Sequence, residues 1–281
     1  MANLKHNAYG KTNVRLVKVK RAEARHDLFD VTVDIALEGD LAGTFLEGDN
    51  SNVVATDTMK NTVYALGKRH DFESVEAFGL LLAEHFLEYD HLSKATIDLR
   101  ERLWRRIEVD GAAHTHAFEG SSNELRTAKV RRSRDQKTVQ GGIKSLPVLK
   151  TTGSAFSGFI KDEFTTLQDA SDRPFGTNLT AIWTYGEGSS PDHNATHATL
   201  RAKLLETFAQ HDSSQSVQQT LYLMGEKALG AADEISSIYL SMPNEHRLLV
   251  DLSAFDMDNP NEIFVPVDEP SGMIEATITR D

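Results

Sequence analysis

Two stretches near the start of the chain alternate apolar and polar residues with the period of a β-strand. In "VRLVKVK", Val14, Leu16 and Lys18 oppose Arg15, Val17 and Val19. In "LFDVTVDIALEG", Val31, Val33, Ile35 and Leu37 face one way, and Thr32, Asp34 and Glu38 the other. A short polar connection between them suggests a hairpin. The period then changes. Met59, Val63 and Leu66 recur at helical spacing, and Phe78, Leu81, Leu82, His85 and Phe86 form a second helical face behind a Ser74 cap candidate. "ATIDLRERLWRRIEVDG" returns to strand period, with Ile97, Leu99, Leu103, Ile107 and Val109 on one face. The first half therefore reads strand, strand, helix, helix, strand, strand.

The segment "KVRRSRDQKTVQGGIKSLP" is basic, then glycine-rich, then interrupted by Pro147. It reads as a solvated strand pair with a turn, and as the boundary between two halves, 1–137 and 138–281. The second half repeats the order. "TNLTAIWTY" is a strand, and "GEGSSPDH" a loop. One helix carries Leu200, Leu204, Leu205 and Phe208, and the next carries Val217, Leu221, Met224 and Ala228. "EISSIYLSM" and "HRLLVDL" are expected to pair around Pro243-Asn244, and "MIEATIT" is the last strand. Two helices laid on antiparallel strands in each half give an α+β fold.

Composition narrows the chemistry. The 281 residues are 40% hydrophobic and 26% charged, the balance of a soluble globular protein. There is no cysteine, which removes disulfides, thiolate metal sites and cysteine nucleophiles. A formal net charge of −12 disfavours nucleic acid and anionic membranes as partners, so an anionic substrate requires a local basic group. No apolar run approaches the ~20 residues of a membrane helix. No signal-peptide core or peroxisomal tripeptide is present, and a cytoplasmic location is expected. Phosphate-loop, nucleophile-elbow, nicotinamide and flavin fingerprints are absent, so an oxidoreductase would have to work without a cofactor that announces itself. "HTH" places His114 and His116 on one strand face, but no third ligand has metalloprotein spacing, and a structural or surface role is the better reading.

Four places hold candidate chemistry. Thr56-Asp57 stands where the first long helix begins, after the apolar run Val53-Val54-Ala55. The pair is suited to capping the first turn, or the free N–H groups and the hydroxyl are suited to a bound anion or heterocycle. "SAFSGFIKDEFTTLQDASDRPF" sets Phe156, Phe159 and Phe164 before Arg173. Phenylalanines are usually core, but an exposed aromatic near an arginine fork suits a flat anionic ring. Val217 and Gln218 lie at or near a helix start, and Asn244 and His246 at a turn and a strand start.

Taken in order, "YGKTNVRLVKV", "GDNSNVVATDTMKNTVYALGK", "HTHAF", "LKTTGSAFSGFIKDEFTTL", "SDR", "SVQQTLY", "SMPNEH" and "DNPNEIFVP" resemble the urate oxidase (uricase) family along essentially the whole chain. The resemblance implies two tandem T-fold units, each an antiparallel sheet with two helices on one face, assembled as a homotetrameric barrel with sites at subunit interfaces. It implies oxidation of urate by dioxygen without a cofactor or metal. Thr56 and Asp57 would reach into a neighbour's site. Phe156 would stack on the purine, Arg173 and Gln218 would clamp its edges, the Val217 N–H would add a donor, and Leu167 would line the pocket. Lys11, Thr56 and His246 would form the proton relay, with Asn244 above the ring. Two positions depart from the family pattern. Glu245 puts a carboxylate beside His246 and is expected to favour its imidazolium and shift the pH optimum. Pro174 biases Arg173 toward extended backbone. Another T-fold purine or pterin enzyme, which would anchor its ring on a glutamate, and a non-catalytic oligomeric purine-binding protein are the alternatives.

Overall fold

The computed structural model describes residues 2–280, apart from the side chains of residues 121, 122 and 268. It falls into two compact units, residues 1–142 with 183–197, and 143–182 with 198–281.

In the first unit the alternating segments form the expected antiparallel strands, β1 (Tyr9–Arg21) and β2 (His26–Gly39). Val31, Val33, Ile35 and Leu37 are all buried, so the period-2 pattern of β2 is the pattern of the core. A one-turn helix, α1 (Ala42–Leu46), precedes α2 (Thr56–Arg69) and α3 (Val75–Phe86). Ser74 caps α3 as expected, its side chain accepting the Ala77 N–H at 3.1 Å. The sheet continues through β3 (Leu92–Val109) and β4 (Ala112–Ser133) in the order β1-β2-β3-β4, with α3 packed on β3 and β4. β3 leaves the core earlier than its sequence suggests. Ile97 and Leu99 are buried, but Ile107 and Val109 are exposed beyond register shifts after Arg102 and Arg106.

Charge is enclosed in this unit as well. The Glu76 carboxylate on α3 is fully buried and accepts from the Arg126 guanidinium at 2.8 Å, and Arg126 also reaches Asn194 Oδ1 at 2.7 Å. Glu101 lies near the pair. Burial pushes its pKa up to about 7, Arg126 draws it down, and the Glu76 and Asp30 charges raise it.

The basic segment forms a hairpin as read: the Ser133 N–H donates to the Gln136 carbonyl at the turn into β5 (Lys137–Lys150). Pro147 does not interrupt that strand. β6 (Phe175–Tyr185), α4 (His193–Gln210) and α5 (Val217–Ala231) follow, and then β7 (Ile235–Ser241). The hairpin expected around Pro243-Asn244 does not form. β7 pairs instead with the last strand, β10 (Glu275–Thr279). β8 (Asn244–Leu249) turns away to join β6 through Gly176 and Thr177, and pairs with β9 (Phe264–Gly272). Pro243 has no N–H to give a ladder at that point. A one-turn 3-10 helix, Ser253–Phe255, lies between β8 and β9. Among the described residues, no helix is long and apolar enough to cross a membrane.

Candidate functional site

The first unit carries Lys11, Thr56 and Asp57. Gly10 is obligatory, because a Cβ there would meet the Ile35 carbonyl oxygen at 1.8 Å. The register with β2 shifts after Lys11, and Asn13 takes a left-handed φ of 56° with its N–H on Asp34. Tyr9 fastens this end of β1 to the approach to α2. Its hydroxyl donates to the Val54 carbonyl at 3.1 Å and accepts the Val54 N–H at 2.8 Å.

The helix start is not capped as its sequence suggests. Ala55 is the N-cap of α2, with no side-chain hydrogen bond to the first turn. The Asp57 carboxylate turns instead to the Lys60 ammonium and to Asn61 Nδ2 at 2.9 Å. Those contacts hold it below the usual carboxylate range, Lys60 first and the Lys11 charge last. Thr56 and Asp57 are both exposed. The helix start therefore presents main-chain donors and a hydroxyl, with a lysine close to the adjacent carboxylate.

The second unit carries Phe156, Leu167, Arg173, Val217, Gln218, Asn244 and His246. The loop from residue 151 to 174 is closed at its base by paired hydrogen bonds between Phe156 and Ala170 (2.8 and 2.9 Å). Asp172 locks the same base, taking the Thr152 hydroxyl at 2.5 Å and the Gly153 and Ser154 N–H groups at 2.8 and 3.2 Å. Asp172 is thus engaged by the loop base, and forms no ion pair with the Arg173 guanidinium among the described residues. The Arg173 guanidinium carbon lies 5.3 Å from the centre of the Phe156 ring. Its Nε is buried without a hydrogen-bond partner, and burial lowers the guanidinium pKa. Phe159 stacks on Phe156 at 5.1 Å and an 8° interplanar angle. Leu167 is 55% exposed on the outer run of the loop, beyond the apolar tip residues Ile160 and Phe164, 94% and 82% exposed.

Val217 and Gln218 are the first two residues of α5, as expected. Here the cap is complete. The Ser216 hydroxyl accepts the Gln219 N–H at 3.1 Å, and Gln219 Oε1 accepts the Gln215 N–H at 2.8 Å. The spacing S-x-x-Q in "SVQQ" marks the Ser216 cap, and the Gln219 side chain reaches back one residue beyond it, to the Gln215 N–H. On β8, Asn244 pairs with Thr177 and Gly272, and His246 with Val267. The Glu245 carboxylate lies 3.5 Å from the guanidinium of Arg247, its i+2 neighbour on the same face of the strand. Pro174 immediately precedes β6, in the extended stretch that follows Arg173. In the first unit, His114 Nδ1 accepts the His116 and Ala117 N–H groups at 3.3 and 3.0 Å, and is occupied by its own backbone.

An aromatic face, a guanidinium free of any ion pair among the described residues, and helix-start donors are groups suited to a flat anion. A family model described as uricase matches residues 7–131 and 139–275. The chain is 44% identical over 279 residues to a uricase of Arthrobacter globiformis, covering 99% of this chain and 90% of that protein. It is 40% identical to a uricase of Dictyostelium discoideum, covering 100% and 98%. The crystal structure of the Arthrobacter globiformis uricase superposes with a TM-score of 0.94 at 43% identity, over 100% of this chain and 96% of that one. The chain belongs to the uricase family.

Proposed function

We propose that this protein is a urate oxidase that oxidises urate with dioxygen and water to 5-hydroxyisourate and hydrogen peroxide, using no cofactor or metal. The observation that carries the site assignment is the Arg173 guanidinium, without an ion pair among the described residues, set 5.3 Å from the Phe156 ring in a chain of this family. Phe156 stacks on the purine, with Phe159 behind it. Arg173 and Gln218 clamp opposite edges, the Val217 N–H adds a donor, and Leu167 closes the rim. Thr56 and the Asp57 N–H meet the far side of the ring from a neighbouring subunit. Lys11, Thr56 and His246 remove and relay a proton, which makes the bound anion easier to oxidise. Two electrons pass from the purine to dioxygen, which Asn244 holds above the ring. A peroxide forms at C5, and water displaces it as hydrogen peroxide.

The assembly is a homotetramer of tandem T-fold units, 1–137 and 138–281, closed into a barrel. The exposed apolar side chains of Ile160, Phe164 and Met273 support it, since such groups are normally covered by a partner. The test is aerobic urate turnover by purified protein in chelator. Urate absorbance falls and peroxide accumulates without added metal or flavin. A requirement for iron, copper or flavin rejects the cofactor-free reading, and absence of turnover rejects the oxidase.

A further inference from the structure

Behind the start of α5 lies a chain of hydroxyls whose direction follows from counting protons. The Ser214 hydroxyl donates its single proton to the Ser216 carbonyl at 2.9 Å. At its 2.7 Å contact with the Thr220 hydroxyl it must therefore accept. Thr220 has then used its own proton, so at its 2.9 Å contact with His211 Nδ1 it accepts in turn. His211 consequently carries a proton on Nδ1, and the order is His211 to Thr220 to Ser214 to Ser216. Ser214 and Thr220 are both 0% exposed, so neither hydroxyl has water as a substitute partner.

Both ends of this chain are anchored. The Lys150 ammonium donates to the His211 carbonyl at 2.6 Å and lies over the rings of Phe175 and Phe208 at 5.8 and 5.6 Å. Burial, and then the Lys150 charge, lower the His211 pKa, which favours the neutral ring. At the other end, the Ser214 N–H donates to the Gly153 carbonyl at 3.1 Å, and the Ser214 carbonyl accepts the Ala155 N–H at 2.8 Å. Gly153 permits this approach with a φ of 77°, where a Cβ would stand 2.9 Å from the Asp212 carbonyl oxygen. One hydroxyl thus holds the residue that caps α5, while its backbone holds the segment leading to Phe156.

We propose that His211, Thr220 and Ser214 are positioning residues. Their one-way hydrogen-bond chain sets the start of α5, and with it the Val217 N–H and the Gln218 amide, in register with the Phe156 ring. The proposal rests on the urate oxidase reading and concerns binding geometry, not the chemical step. None of the three touches the substrate. Loss of one link strands a donor without its acceptor, the His211 Nδ1–H when Thr220 is replaced and the Thr220 hydroxyl when Ser214 is, and lets the helix start shift against the ring, which weakens the grip.

The experiment is steady-state urate kinetics of Thr220→Val and Thr220→Ser, with the affinity for xanthine measured in parallel. Thr220→Val is expected to raise KM and weaken xanthine binding roughly five- to tenfold, with kcat within about twofold. Thr220→Ser, which restores the hydroxyl, returns both to the starting values. Combining Thr220→Val with Gln218→Ala gives less than the product of the two single effects, because both act through the same amide. An unchanged KM with only a lower Tm, or failure of serine to rescue, overturns the proposal. If Thr220→Val does not fold, Ser214→Ala breaks the same chain and is read in the same way. A starting protein that turns over no urate overturns the oxidase reading instead.

Discussion

The starts of α2 and α5 carry the same kind of groups and are held in opposite ways. At α5 the first turn is capped by Ser216 and Gln219, and a buried hydroxyl chain ties it to the neighbouring loop. At α2 the cap residue is Ala55, the Asp57 carboxylate is drawn to Lys60 and Asn61, and Tyr9 clasps the approach at Val54. A capped helix start is fixed in place within its own chain. An uncapped one keeps its donors available to whatever meets it, at a cost in helix stability. In the proposed site the α5 end would grip, and the α2 end would reach.

The sharpest way to break this comparison is to remove one charge from each end. Lys11→Met is expected to lower kcat at least ~100-fold while xanthine affinity stays within a few-fold, because a proton-transfer group is lost. Arg173→Ala is expected to do the reverse, weakening xanthine roughly ten- to hundredfold, as the loss of a charged hydrogen bond does. Equal losses of rate and affinity at either position would merge the two ends into one.

Glu101→Gln belongs to neither helix start and tests whether stability and function are separable. The folded pKa of Glu101 stands near 7, above its ordinary 4.5. Its contribution to stability is therefore complete below pH ~4.5 and is lost as pH rises through 7. Denaturation across pH 5 to 8 should show the glutamine variant gaining relative to the parent, by about 3 kcal/mol at pH 8. An unchanged pH profile would show that the carboxylate is ionised at little cost.

The smallest effects are expected at the caps themselves. Ser216→Ala should cost about 1 kcal/mol. Ala55→Asp should stabilise α2 by ~0.5–1 kcal/mol and lower urate turnover, since the new carboxylate takes the first-turn N–H groups. A gain in both stability and turnover would show that those donors do not meet the substrate.

Much of this was written in local pattern. The alternation of Val31, Val33, Ile35 and Leu37 is the buried face of β2, and Ser74 is the cap it was read to be. Val217 and Gln218 lie at a helix start, as their neighbours imply. What periodicity does not encode is partnership at a distance. β7 is as good a strand by pattern whether it pairs with β8 or, as it does, with β10. The closure of the loop by Phe156 and Ala170 involves residues with no shared period. Thr56-Asp57 has the composition of a cap, but Lys60 and Asn61, on the next turn, compete for the carboxylate and win. Glu245 likewise has a partner that its place beside His246 does not announce: Arg247, two residues on, lies 3.5 Å from its carboxylate.

The bare loop tip carries a last consequence. Ile160 and Phe164 stand in water on a single chain, and in the tetramer proposed above their burial would belong to assembly, not to folding. Dilution would then act on this enzyme as a denaturant does, stripping activity while the secondary structure persists, because the working unit is held together by mass action.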